Sequence, residues 1–348
     1  MASPPSSIPH ASGSNMSSLP AVWAYILPAL DHIMRSDPDA VEAPALSTSY
    51  HMGVYTVVYN FATASKPESS QPPTPAIGGL DDPLDDPDDD PYPSNSMVGY
   101  ELYVHLEDYF RGVARDVRLR APANDSALLP YYLSSYARFS DALICVNRLF
   151  AYLNRHFVTR AVDEGMGWVS MQDVFKDKRP SAKKSKKDVE LLEMKKREQL
   201  KTWGFVGGTE DQRRYAEACA EAGTPIDRIV PISSLALRCW RIEVVEPFLS
   251  AEKAKEKGKQ KETPSDLGEG SNDAEEDDTA PPPIPPPPAP PDPRGRLNRV
   301  VGELVLTTRG PAAASARENA QKLSKSLRTC GVKPENIIRK RLDKFLHG

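Results

Sequence analysis

Leu143-Ile144-Cys145-Val146-Asn147-Arg148-Leu149-Phe150-Ala151-Tyr152-Leu153-Asn154-Arg155-His156-Phe157-Val158 is the stretch whose reading decides the fold. Leu143, Val146, Phe150, Leu153 and Phe157 recur every three or four residues. At 3.6 residues per turn they line one continuous apolar stripe of a helix. Tyr152, Arg155, His156 and Thr159 recur at the same spacing on a second stripe. A helix with two organised faces belongs in a bundle, one face in the core and the other available to something else.

Working towards the N-terminus, the helical period persists. A fourth helix carries Leu129, Tyr132, Leu133 and Tyr136, with Asp125 or Ser126 as its N-cap. A third starts near Met97 and puts Leu102, Leu106, Tyr109, Phe110, Val113 and Val117 on one face. A second covers roughly residues 46–64 and is apolar on two sides: Met52, Tyr55, Tyr59 and Ala62 form one stripe, Val54, Val58 and Phe61 another. One core cannot cover both, so the second side is predicted to meet a partner. A first helix carries Trp23, Ile26, Leu27, Leu30, Ile33 and Met34, with a kink or late start expected at Pro28.

Towards the C-terminus the signals are weaker. A charged helix is predicted around Val189–Trp203 and a short one near Asp211–Ala222, followed by Ile232–Phe248, Arg296–Thr308 and Ala316–Cys330. Strand-type alternation persists nowhere, so the predicted class is all-α, with helical bundles and long disordered insertions. The 34 prolines cluster, and the net charge of −4 conceals blocks of opposite sign. Asp81 to Asp90 is acidic, Lys178 to Lys187 basic, Lys253 to Lys261 lysine-rich and Asp273 to Asp278 acidic again. Such blocks mark solvated segments. The expected organisation is a disordered tail (1–19), a first helical unit (20–165) interrupted by a disordered loop (65–96), a charged insertion (166–228), and a partial second unit (229–348) containing the Pro-rich linker 251–295.

Several function classes are excluded on chemical grounds. Cys145, Cys219, Cys239 and Cys330 are far apart and contain no CxxC pair, and the six histidines show no paired metal spacing. Gly204-Phe205-Val206-Gly207-Gly208-Thr209 superficially resembles a phosphate loop but lacks the Lys-Ser/Thr that must follow, and no GxSxG elbow occurs. No metal, cofactor or catalytic residue is therefore expected. The N-terminus lacks a signal-peptide pattern, and no apolar run approaches the ~20 residues of a membrane helix, so a soluble intracellular protein is expected.

The candidate binding residues follow from the stripes. Tyr59, Leu153 and Phe157 are assigned to the core. His51, Met52, Tyr55 and Tyr152 are assigned to a binding surface, because Tyr152 lies off the core stripe of its helix and the second helix has surplus apolar surface. Arg155 and His156 share the Tyr152 stripe and are assigned polar contacts there.

Three stretches together resemble the N-terminal repeat of cullins, of the type that serves F-box ligases: Val54-Tyr55-Thr56-Val57-Val58-Tyr59-Asn60, Val98-Gly99-Tyr100-Glu101-Leu102-Tyr103, and Ala151-Tyr152-Leu153-Asn154-Arg155-His156-Phe157-Val158 with Asp163-Glu164-Gly165 after it. Ser234-Leu235-Ala236-Leu237-Arg238-Cys239-Trp240 resembles the start of the family's next repeat. The resemblance implies a non-catalytic scaffold of an SCF-type ubiquitin ligase, serving ubiquitin-dependent degradation. Its partners would be an F-box adaptor protein and an F-box substrate receptor, gripped at positions matching His51, Met52, Tyr55 and Tyr152. The long insertions and the last thirty residues depart from the pattern. Nothing resembles the family's C-terminal homology region, so the resemblance implies a fragment on which no RING-finger partner is expected.

The basic cluster 178–187 suggests either a nuclear import signal, giving a cytoplasmic and nuclear distribution, or a nucleic-acid contact. The second is the alternative function, that of a helical nucleic-acid-associated protein. No aromatic residues interleave these lysines to stack on bases, which disfavours it.

Overall fold

Local helical propensity and apolar periodicity decide where the helices of this chain form, and the computed structural model describes residues 18–35, 47–63, 99–170, 173, 186–250, 295–307 and 312–348. Almost all of the tail 1–19 and the linker 251–295, all of the loop 65–96 and most of the basic cluster 178–187 lie outside the described residues. Among the described residues every regular element is helical, so the class is all-α as expected.

Helix α1 is Leu19–Met34, α2 Thr48–Thr63, α3 Tyr100–Leu119 and α4 Asp125–Leu149. Helix α5 is composite: Ala151–Leu153, a π-turn at Asn154–Val158, Thr159–Ala161, and a second π-turn at Val162–Met166. Helix α6 is Lys186–Thr202 and α7 Glu210–Ala222. Helix α8 runs through Ile232–Trp240, a π-turn at Arg241–Val245 and Glu246–Leu249. The last three are α9 (Arg296–Leu306), α10 (Ala312–Thr329) and α11 (Ile337–His347).

Three local expectations need correction. The cap of α4 is Asn124, whose side-chain oxygen accepts a hydrogen bond from the Ser126 N–H at 3.0 Å. Asp125 instead lies in the first turn and holds α9, pairing with Arg296 at 2.9 Å and Arg299 at 2.7 Å. The apolar stripe Leu143–Phe157 spans two helices. Phe150 leaves helical dihedrals (φ −102°, ψ 21°), so Leu143 and Val146 close α4 while Leu153 and Phe157 belong to α5. All five side chains stay buried, because the backbone bonds Phe150 N–H to Val146 O (3.1 Å) and Asn154 N–H to Phe150 O (3.0 Å) carry the path across the break. Helix α11 was not predicted. It is capped by Asn336 and buries Ile338 and Leu342.

Helix α2 packs on α1, α4 and α5, and α3 lies between α1 and α8. Helix α4 touches α1, α8, α9 and α10, which makes it the strut common to both halves. One contiguous core runs from Val22 of α1 to Leu342 of α11. Where α3 meets α8 the contact is polar as well as apolar. The buried Tyr103 hydroxyl donates to Val230 O and accepts from Val230 N–H, both at 3.0 Å. Glu243 of α8 pairs with Arg111 and Arg115 of α3, each at 3.2 Å. The fully buried Arg238 donates to the carbonyls of Pro225 (2.8 Å) and Arg228 (2.7 Å), with Glu107 at 3.8 Å balancing its charge. Such partners are what make a buried guanidinium tolerable.

Candidate functional site

The two apolar sides of α2 separate cleanly in space. Val54, Val57 and Val58 point into the core. Met52 and Tyr59 point outward, 55% and 44% exposed, with the half-buried Tyr55 between them. Tyr59 was expected in the core. Its place on the outer stripe follows from its spacing of seven residues from Met52, the same signal that singled out Met52 and Tyr55. His51 is half-buried in the first turn, its N–H bonded to Ser47 O at 3.0 Å.

Helix α5 approaches this stripe with Tyr152 foremost. The Tyr152 ring meets Tyr59 edge-on at 4.9 Å, Tyr55 edge-on at 6.1 Å, and lies against the His156 ring at 4.1 Å. Edge-to-face geometry suits the ring quadrupoles and makes each pair worth about 0.5–1.5 kcal/mol beyond burial. Tyr152 is therefore only 8% exposed, more covered than its position off the core stripe led us to expect. Desolvation, with the neighbouring Tyr59 and Tyr55 phenols, pushes its hydroxyl above the usual tyrosine range, so it stays neutral. Arg155 and His156 are exposed beside the ring cluster, and one turn further on Arg160 is paired with Glu164 at 2.8 Å.

The approach of α5 is set from behind by Gly99, which precedes α3. Its φ of +99° is a left-handed conformation that side chains resist, and a Cβ there would meet Leu153 at 3.0 Å and Phe157 at 3.1 Å. The structure thus brings Tyr55, Tyr59, Tyr152 and His156 together, with Met52 exposed on the same outer stripe of α2 and Arg155 exposed on α5 beside the rings. The product is a small surface with an aromatic centre and a basic edge. Sequence reasoning missed Tyr59 as part of it and gave Asn154, inside the quoted motif, no role.

Three of the four cysteine thiols are withdrawn from solvent, and Cys145 is half-buried. Cys219, Cys239 and Cys330 are buried free thiols, and burial pushes Cys219 up to about 11 and Cys239 up to about 12, so they remain protonated and poorly nucleophilic. Thr209, at the end of the glycine-rich stretch 204–209, is the N-cap of α7 in a reciprocal capping box with Gln212. Among the described residues no cluster of three or more His, Cys, Asp or Glu is placed to hold a metal ion. No helix among them is long and apolar enough to cross a membrane.

Comparison with known proteins gives distant, partial similarity. The chain is 24% identical over 152 residues to cell division control protein 53 of Saccharomyces cerevisiae, covering 42% of this chain and 17% of that protein. It is 26% identical over 145 residues to Cullin-1 of Caenorhabditis elegans, covering 41% of this chain and 17% of the relative. It is 27% identical over 119 residues to Cullin-1 of Dictyostelium discoideum, covering 33% and 13%. This chain is thus similar to cullins over about 40% of its length, and each match takes in only a small part of the relative. No family model matches the chain, and no solved structure matches it.

Proposed function

We propose that this chain is a non-catalytic, cullin-type scaffold subunit of an SCF-type ubiquitin ligase. It docks an F-box adaptor, with its bound F-box receptor, on the surface formed by α2 and α5. The observation that carries this reading is the outer stripe of α2. Met52 and Tyr59 remain exposed although α2 already buries Val54, Val57 and Val58, and Tyr59 is braced by Tyr152 rather than left to rotate freely. An ordered aromatic surface with a polar edge suits a protein interface, where tyrosines and arginines dominate affinity. The similarity to cullins supports the choice of partner class. Within this reading residues 20–165 act as the first repeat, 229–348 as part of a second, and the basic cluster 178–187 directs nuclear import in a protein found in cytoplasm and nucleus.

The test is titration of purified chain with a purified adaptor–F-box pair. Met52→Asp places a charge in the centre of the contact, and Tyr152→Ala removes the ring on which Tyr59 leans. Each is expected to weaken binding at least tenfold, the scale of a roughly 2 kcal/mol hot spot, with helical circular dichroism unchanged. Wild-type affinity in both variants overturns the assignment of the surface. No adaptor binding by the wild-type chain, together with salt-dependent binding to DNA, overturns the function in favour of nucleic-acid association.

A further inference from the structure

Asn154 occupies a junction that neither the periodicity of α5 nor its aromatic face accounts for. Helix α8 begins at Ile232 behind Pro231, and Pro231 offers no side-chain acceptor for the unpaired N–H groups of the first turn. The side-chain oxygen of Asn154 supplies one from the other half of the molecule, accepting from the Ile232 N–H at 2.9 Å. Its side-chain nitrogen donates to the Asn147 side-chain oxygen of α4 at 2.8 Å. The Ile232 N–H can only donate, so the orientation of the Asn154 amide is determined by its partners.

The same residue opens the π-turn. Its backbone carbonyl accepts from both the N–H and the hydroxyl of Thr159, the latter at 3.1 Å. The rings of Tyr152 and His156, two residues to either side, lie 4.1 Å apart across this point, tilted by 31°. A π-turn replaces regular i→i+4 bonding with i→i+5 bonding and is frequent at functional sites.

We propose that Asn154 is the positioning residue of the docking surface. By capping α8 and bonding to the end of α4, it holds the π-turn in place and with it the Tyr152–His156 pair against α2. Only the identification of that pair as the docking surface rests on the function proposed above. The prediction separates the bonds from the bulk of the side chain. Asn154→Leu keeps the γ-branched shape, at a somewhat larger volume, and loses both side-chain bonds. Asn154→Asp keeps both, because one carboxylate oxygen accepts from Ile232 and the Asn147 amide turns over to donate to the other.

The experiment reads three quantities on the full chain: the ring resonances of Tyr152 and His156, amide hydrogen exchange over residues 154–159, and adaptor affinity. Asn154→Leu is expected to move the ring signals, speed exchange at least tenfold, and weaken adaptor binding at least tenfold. Asn154→Asp is expected to stay within threefold of wild type in both rates and affinity. Val301→Ala, in the core of α9, serves as a variant destabilised elsewhere and should leave the rings unmoved. Unmoved rings in Asn154→Leu, equal damage from Asn154→Asp, or equal ring shifts in Val301→Ala would each overturn the proposal. If the wild-type chain binds no adaptor, the docking function fails, and the ring and exchange measurements alone decide whether Asn154 positions the pair.

Discussion

Tyr152 and Glu221 show how burial sets the behaviour of single side chains here. Tyr152 is covered by rings on three sides and contributes its hydroxyl as a neutral group. Glu221, in the last turn of α7, has its carboxyl buried against α8, where the Ser234 hydroxyl donates to it at 2.6 Å. Burial raises it to about 7, the Ser234 hydrogen bond offsetting part of that and the nearby Glu217 adding to it. The sign of the linkage follows. In the unfolded chain this carboxyl loses its proton near pH ~4.3, whereas in the folded chain it keeps it until about 7. The folded state then binds more protons across that window, so the contribution of Glu221 to stability is lost as pH rises from about 4 to 7 and is level above. Glu221→Gln should remove this slope and be more stable than wild type at pH 8 by roughly 1–3 kcal/mol, with little difference at pH 4. Urea unfolding of both proteins at the two pH values checks it, and a gap that does not widen with pH contradicts it.

At the scale of elements, α4 carries the greatest structural responsibility, because it contacts α1, α8, α9 and α10. Its first turn holds two neighbouring residues with different duties. Asn124 takes the extended dihedrals of a cap (φ −78°, ψ 128°) and satisfies the Ser126 N–H, while Asp125 faces α9 and its two arginines. Asn124→Ala should therefore cost about 1 kcal/mol, as an exposed cap does. Asp125→Ala should cost more, since it removes the carboxylate that the half-buried Arg296 and Arg299 share. Thermal unfolding of the two variants orders them, and a larger fall in Tm for Asn124→Ala would contradict the division of labour. The sequence located α1 to α10, most clearly those that bury a broad apolar stripe, and missed α11. It put the cap at Asp125 or Ser126 instead of Asn124, because all three residue types cap helices well and only the approach of α9 gives Asp125 its other duty.

At the scale of the whole molecule, the long insertion between α8 and α9 begins and ends at one place. Gly295, just before α9, lies so close to the Leu249 carbonyl at the end of α8 that a side chain there would overlap it. Chain closure over such a short gap depends only weakly on the length spanned, about 0.6 kcal/mol for each doubling. Replacing residues 251–294 with a short Gly-Ser linker should leave Tm unchanged or slightly raised, and adaptor affinity within about twofold. A fall in Tm of more than about 5 °C would show that the insertion contributes to the fold.

The sequence by itself determined the all-α class, most of the helices and the double-sided character of α2, because helical periodicity is a local property that a few turns of chain express in full. It also singled out Met52, Tyr55 and Tyr152, which depart from the core stripes of their own helices. Only the tertiary structure decided that Tyr152 is covered by Tyr59 and that Asn154 caps a helix beginning at Ile232. These facts depend on which partner fills the space beside a side chain. That partner comes from a distant part of the chain, out of reach of any local period.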